Sequence, residues 1–206
     1  MRILIFDLET TGFPECKEKG VYPNPKHIKK YDSARIIQFG IIIARYNKKN
    51  KKFRELKRFD ILVSPDGFTI ENSEFHGIEH KTAVEQGIPF KTAVEQFAEE
   101  LSKISLVVGH NVAFDYNVLL SELYRYKLVD YAKELKVIPQ FCTCTQTANI
   151  TKIKNSYGYK YPKLKELYKW ASGKKANEKK LHNAIYDTYL TYLCFKKLII
   201  LGHFEL

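Results

Sequence analysis

The run Ile3-Leu4-Ile5-Phe6 narrows the choice of fold more than any other feature of the chain. Consecutive apolar residues of this length suit a β-strand buried on both faces, which requires a sheet covered by a layer on each side. The run ends in Asp7-Leu8-Glu9-Thr10-Thr11-Gly12, and because side chains alternate along a strand, Asp7 and Glu9 share a face. Acids at the end of a buried strand are either solvated or hold a cation. Taken alone, the segment is as compatible with a solvated strand end as with a metal site.

The remaining chain supplies the covering layers. Arg35 to Tyr46 and Glu55 to Ser64 read as strands, with Asn47 to Lys52 as the hairpin tip between them. The lysines of that tip fit a solvated turn better than a substrate contact. Residues 13–34, with Pro14, Gly20, Pro23 and Pro25 among Lys17, Lys19, Lys26, Lys29 and Lys30, have loop composition with a basic bias, and the stretch from Lys17 to Lys30 suits one wall of an electrostatic funnel. The hexapeptide Lys81 to Gln86 recurs as Lys91 to Gln96, a local coincidence or duplication, and the second copy opens an amphipathic helix with Val94, Phe97, Leu101 and Ile104 on one stripe. Leu106-Val107-Val108 reads as a fourth strand. A helix from about Phe114 to Tyr126 follows, placing Asp115 in its first turn, where the helix dipole by itself favours an acid. A short helix over residues 130–136, a fifth strand over 137–143, a helix opened by Pro162 and stopped by Gly173, and a last helix from about Ala184 to Leu201 complete the chain. Three strands followed by strands alternating with helices predict an α/β fold, one five-stranded mixed sheet flanked by helices, in a single domain over residues 1–206.

Charge narrows the function. Lysine and arginine total 34 against 23 acids, a net charge of +11, and the pI of about 9.3 points to a polyanionic partner such as nucleic acid or an anionic membrane surface. No apolar run reaches the roughly 18 residues of a membrane span, and the N-terminus reads without a charged leader, so the expectation is an intracellular protein with no membrane partner, not a secreted one. Cys16, Cys142, Cys144 and Cys194 include one C-x-C pair but no two-pair zinc spacing, so free thiols are expected.

Two further segments carry chemistry: Gly109-His110-Asn111-Val112-Ala113-Phe114-Asp115, and His182-Asn183-Ala184-Ile185-Tyr186-Asp187. On a continuous helix His182 and Asp187 would lie roughly 140° apart, so a shared site needs His182 on a loop just before the helix. FDLETTG, GHNVAFD and HNAIYD, in this order, resemble the three exonuclease motifs of the DnaQ-like DEDDh 3′→5′ exonucleases of the ribonuclease H-like superfamily. His76-Gly77-Ile78 resembles that family's HGI segment, and Gly158 to Leu164 a linker found in some members.

The resemblance implies a ribonuclease H-like fold and a 3′→5′ exonuclease that releases nucleoside 5′-monophosphates from single-stranded or frayed 3′ ends, DNA favoured over RNA. It implies two divalent cations, Mg2+ with Mn2+ able to substitute, held by Asp7, Glu9, Asp115 and Asp187. Hard oxygen ligands agree with that choice. His182 would be the general base, consistent with an ordinary imidazole pKa of about 6.5. Thr10, Thr11 and Gly12 would offer backbone N–H groups to the terminal nucleotide, with His76 and Ile78 beside its base and sugar. His110, Asn111 and Phe114 would line the groove, although His110 and Asn111 equally suit capping of the next helix, and Phe13 equally suits the core. Tyr157, Tyr159, Tyr161 and Lys160 suit stacking on single-stranded bases as well as they suit packing on a helix. A non-catalytic nucleic-acid-binding subunit and a proofreading subunit working only beside a polymerase partner are the alternatives. The complete set of acids and His182 weigh against the first, and the short sequence after the last helix against the second. Whether the protein is a monomer or dimer is open.

Overall fold

The structure, a computed structural model, describes residues 1–18 and 20–206; Lys19 of the basic loop lies outside the described residues. In chain order the elements are β1 (Arg2–Thr10), β2 (Ile36–Asn47), β3 (Lys52–Leu62), α1 (Ser73–His76), α2 (His80–Gln86), α3 (Phe90–Ala98), β4 (Leu106–Gly109), α4 (Val112–Arg125), α5 (Val129–Lys136), β5 (Gln140–Cys142), α6 (Ala148–Thr151), β6 (Lys154–Asn155), β7 (Gly158–Tyr159), α7 (Leu164–Ser172) and α8 (Ala184–Ile200).

The main sheet has the order β3-β2-β1-β4-β5. β1 sits at its centre, antiparallel to β2 and parallel to β4. Its odd residues Ile3 and Ile5 pack with Tyr192, Phe195 and Ile199 of α8. The even residues Leu4, Phe6 and Leu8 join Phe97 of α3 and Val118, Leu119 and Leu123 of α4 on the opposite face. Burying each such side chain contributes about 1.5–3 kcal/mol, which explains why a strand apolar on both faces must lie at the centre. The odd row continues past Ile5 into Asp7 and Glu9, so the acids emerge where β1 leaves the core.

Several boundaries differ from the sequence reading for local reasons. β5 is confined to Gln140–Cys142 because Val137 ends α5 and Pro139 has no N–H to give, although its carbonyl accepts the Val107 N–H. α7 starts at Leu164 instead of Pro162, with the Lys163 N–H donated to Glu166 Oε2 at 2.7 Å. The duplicated hexapeptides both become helical, in α2 and α3. The lysine-rich tip between β2 and β3 is an exposed turn. Among the described residues no helix is long and apolar enough to cross a membrane, and all four cysteines are free.

Candidate active site

Asp7 and Glu9 of β1 and Asp187 of α8 each offer a carboxylate oxygen within 4.8 Å of the others. Asp187 reaches β1 because the start of α8 lies directly on β2. Gly40 is the cross-strand partner of Asp7, and a Cβ at Gly40 would overlap the Ala184 carbonyl and the Ile185 nitrogen. Thr188 Oγ1 donates to the Gly40 carbonyl at 2.8 Å. The Ala184 N–H donates to Gln38 Oε1 at 3.1 Å, and Gln38 Nε2 donates to Asp60 Oδ1 at 2.7 Å. Gln38, Gly40, Asp60 and Thr188 thus set the height of α8 over the acids. The sequence reading passed over them, although a glycine inside an apolar strand signals close backbone approach.

Asp115 is buried in the first turn of α4, and its Oδ1 accepts the Leu8 N–H at 3.1 Å, which fixes it beside β1. Burial raises the proton affinity of all four acids. For Asp7 it acts with the charges of Asp115, Glu9 and Asp187 to push the pKa well above the carboxylate range. Glu9 is pushed up to about 8 by burial and then by Asp187 and Asp115. Asp115 also rises to about 8 through burial, against the opposing Leu8 hydrogen bond. Asp187 rises to about 6, with burial partly offset by the His182 N–H and charge.

His182 sits on the exposed loop preceding α8 with φ at 63°, a left-handed conformation unusual for a residue with a side chain. That turn lets its backbone N–H donate to Asp187 Oδ2 at 3.1 Å. Asn183 then caps α8 by accepting the Tyr186 N–H at 3.1 Å. Asp187 Oδ1 is left buried with no partner. An orphaned carboxylate oxygen facing two more acids fits a divalent cation, and an all-oxygen donor set fits a hard one.

A cleft of about 540 Å³ opens over these acids, within the range of ligand pockets. Asp7, Glu9, Thr10, Thr11, Gly12, His76, His110, Asn111, Phe114, Asp115, His182 and Asp187 all line it. Ile78 does not: it packs with Ile37, Ile70 and Ala83 in a small core. Its link to the cleft is indirect, since its N–H donates to His76 Nδ1 at 3.0 Å. That bond assigns the proton of a neutral His76 to Nε2, a buried nitrogen with no partner.

Other expected roles are also redistributed. The Thr11 N–H is already donated to the Arg35 carbonyl at 2.9 Å, and its hydroxyl bonds Ser33 O at 3.0 Å while accepting the Arg35 N–H at 2.9 Å. Thr11 therefore pins the turn instead of offering a donor. His110 has both ring nitrogens engaged, with Thr143 Oγ1 and the Pro162 carbonyl, each at 3.1 Å. Burial holds it neutral down to about pH 4. Asn111 occupies the N-cap position of α4 in a left-handed turn, with φ at 68°, and its side chain makes no capping hydrogen bond. Phe13 is 78% exposed, outside the core, with its ring 5.5 Å from that of Phe114. Asn72 and Phe75, not singled out from the sequence, complete the cleft wall. The aromatic residue directly before His76 was the available sequence signal for Phe75.

Similar folds occur in known nucleases. Exonuclease I of E. coli in its single-stranded DNA complex is 15% identical, with a TM-score of 0.66 over 98% of this chain and 41% of its own. A 3′-exonuclease bound to a histone mRNA stem-loop is 14% identical, with a TM-score of 0.67 over 98% of this chain and 64% of its own. The nuclease domain of 3′hExo, a DEDDh family member bound to rAMP, is 15% identical, with a TM-score of 0.56 over 98% of this chain and 92% of its own. The chain therefore spans about two fifths of the exonuclease I chain. No curated protein sequence matches at a significant level. The profile of the RNase T-type exonuclease family matches residues 4–195. With a model match that spans nearly all of its length, the chain belongs to the exonuclease family.

Proposed function

We propose that residues 1–206 form a single metal-dependent exonuclease domain that hydrolyses the phosphodiester bond at the 3′ end of single-stranded or frayed nucleic acid, DNA ahead of RNA, and releases nucleoside 5′-monophosphates. The observation that carries this reading is the trio of Asp7, Glu9 and Asp187 oxygens within 4.8 Å, with Asp187 Oδ1 buried and unpartnered. Asp7, Glu9 and Asp187, completed by Asp115, would hold the Mg2+ or Mn2+ ions. When bound, such a pair of cations supplies charge stabilisation to the phosphate and to both its attacking and leaving oxygens.

The chain's own groups do the rest. His182, beside the acids and tied to Asp187 through its backbone N–H, takes the proton from the attacking water. Asp187 fixes the loop that carries this base, so the metal site and the base are set by the same side chain. His76 Nε2, a buried donor with no partner in the protein, is available to a substrate oxygen. Phe13, Phe75 and Phe114 give the cleft apolar surfaces for the terminal base. Related folds holding single-stranded DNA and an mRNA stem-loop support a nucleic-acid 3′ end as the substrate class.

The test is digestion of matched 3′-labelled single-stranded DNA, single-stranded RNA and 3′-mismatched duplex with Mg2+ or Mn2+. Mononucleotide release that stops with EDTA, and is lost in folded Asp7→Ala and His182→Ala proteins, is expected. Strand binding without release, or activity surviving both substitutions, would end the proposal.

A further inference from the structure

The stretch between Glu134 and Glu166 contains no acid and six lysines, and it includes the β6–β7 hairpin. In that hairpin and just after it, Tyr157 is 97%, Tyr159 46% and Tyr161 61% exposed. None of these rings pairs with another aromatic ring of the protein among the described residues. Exposing three tyrosines within five residues forgoes the burial that large aromatic side chains ordinarily gain.

The base of this segment is fixed. Lys160 Nζ bonds both oxygens of Glu166, at 2.6 and 2.9 Å, and the Lys163 N–H bonds Glu166 Oε2 at 2.7 Å. The Pro162 carbonyl accepts from Cys144 Sγ at 3.7 Å and meets His110 Nε2 at 3.1 Å. Because His110 lines the acidic cleft, its contact with the Pro162 carbonyl ties the end of the tyrosine segment to a residue of the cleft wall. The tip is shaped by Asn155 Oδ1, which accepts the Tyr157 N–H at 2.9 Å, and by Gly158 with φ at 122°.

We propose that Tyr157, Tyr159 and Tyr161 form a stacking platform for the part of a single strand that lies 5′ of the terminal nucleotide, with Lys152, Lys154 and Lys163 facing its phosphates. Rings on a fixed base stack on bases of any sequence, and the absence of acids suits a polyanion. A strand engaged both here and at its 3′ end would gain affinity without any change in the chemical step. This proposal rests on the exonuclease reading of the neighbouring cleft.

The experiment compares wild type with Tyr157→Ala, Tyr161→Ala and the corresponding Phe substitutions on a single strand of about 12 nucleotides and on a dinucleotide too short to reach the hairpin. KM for the longer strand should rise about fivefold for each stacked tyrosine removed, with kcat unchanged and the Phe variants close to wild type. Digestion of the dinucleotide should not move. In parallel, anisotropy of a labelled strand in EDTA reads binding without cleavage, so the platform can be judged even if wild type digests nothing and the exonuclease reading fails. The Ala variants should bind the normal strand about fivefold more weakly, while an abasic strand of equal length and charge should bind wild type and variants alike. Unchanged binding by the Ala variants, an equal loss on the abasic strand, or an equal loss with the dinucleotide would each overturn the platform.

Discussion

Gly40→Ala tests whether contact between β2 and α8 sets the geometry of the site. The added methyl would overlap the Ala184 carbonyl and the Ile185 nitrogen, which are backbone atoms and cannot rotate away. Relieving the overlap requires the start of α8 to lift by about 1 Å, a displacement that costs on the order of 100-fold in rate when it reaches reacting groups. The lift would stretch the Thr188 bond to the Gly40 carbonyl, now 2.8 Å, and the Ala184 bond to Gln38, now 3.1 Å. Overpacking of this kind costs about 1–3 kcal/mol. For a chain of this size each kcal/mol lowers Tm by about 2–4 °C, so the variant should remain folded at room temperature. Because Asp187 and His182 flank the lifted segment, kcat should fall much more than KM rises, and the Mn2+-induced rise in Tm should shrink with it. A folded Gly40→Ala protein with wild-type kcat and an unchanged metal response would refute the claim that this contact positions Asp187.

Four further outcomes follow from the same contacts. Asp115→Asn should abolish activity yet stabilise the metal-free protein at pH 8: the folded acid keeps its proton up to about 8, whereas the unfolded one loses it at about 3.9. Wild-type stability contributed by this group therefore falls as pH rises through that window, and the advantage of the Asn variant should vanish toward pH 4 in EDTA melts. A divalent cation must displace those protons, so the Mg2+- or Mn2+-induced rise in Tm should be larger at pH 8 than at pH 5; calorimetry showing the reverse would contradict the raised proton affinities of Asp7, Glu9 and Asp115. Gln38→Leu removes the acceptor of the Ala184 N–H and the partner of Asp60, which should lower stability by about 1–3 kcal/mol in urea titrations and reduce kcat. His182→Gln should lose most of kcat at neutral pH while retaining the metal-induced rise in Tm, since the bond to Asp187 comes from the backbone; loss of metal response would instead make His182 a structural support.

The centre of the sheet was legible because β1 carries two patterns at once. Its apolar residues required a layer on both faces, and the odd row that packs on α8 runs on into Asp7 and Glu9. The acid at the start of α4 was legible as a helix-start residue, but its contact with β1 was not. That contact is a hydrogen bond from the Leu8 main chain, and main-chain donors carry no residue-type signal. The seat of α8 was hidden for a related reason. Gly40 matters for an atom it lacks, and Gln38 for two bonds to residues distant in sequence.

The substrate contacts were the least legible part, and hydrogen-bond capacity explains why. A threonine, histidine or isoleucine at a familiar position can serve a ligand only if the fold has not already used it, and sequence shows the residue without its commitments. Thr11 has its N–H and hydroxyl engaged at the start of β2, His110 has both nitrogens engaged, and Ile78 is buried in a core. By contrast, Asp187 Oδ1 and His76 Nε2 are buried and left over. An unpaired buried acceptor or donor costs about 1–3 kcal/mol, a penalty that a bound cation or substrate oxygen would remove. Capacity left over after folding therefore ranks Asp187 and His76 above Thr11 and His110 as ligand-binding groups, a distinction that spacing in the sequence cannot make.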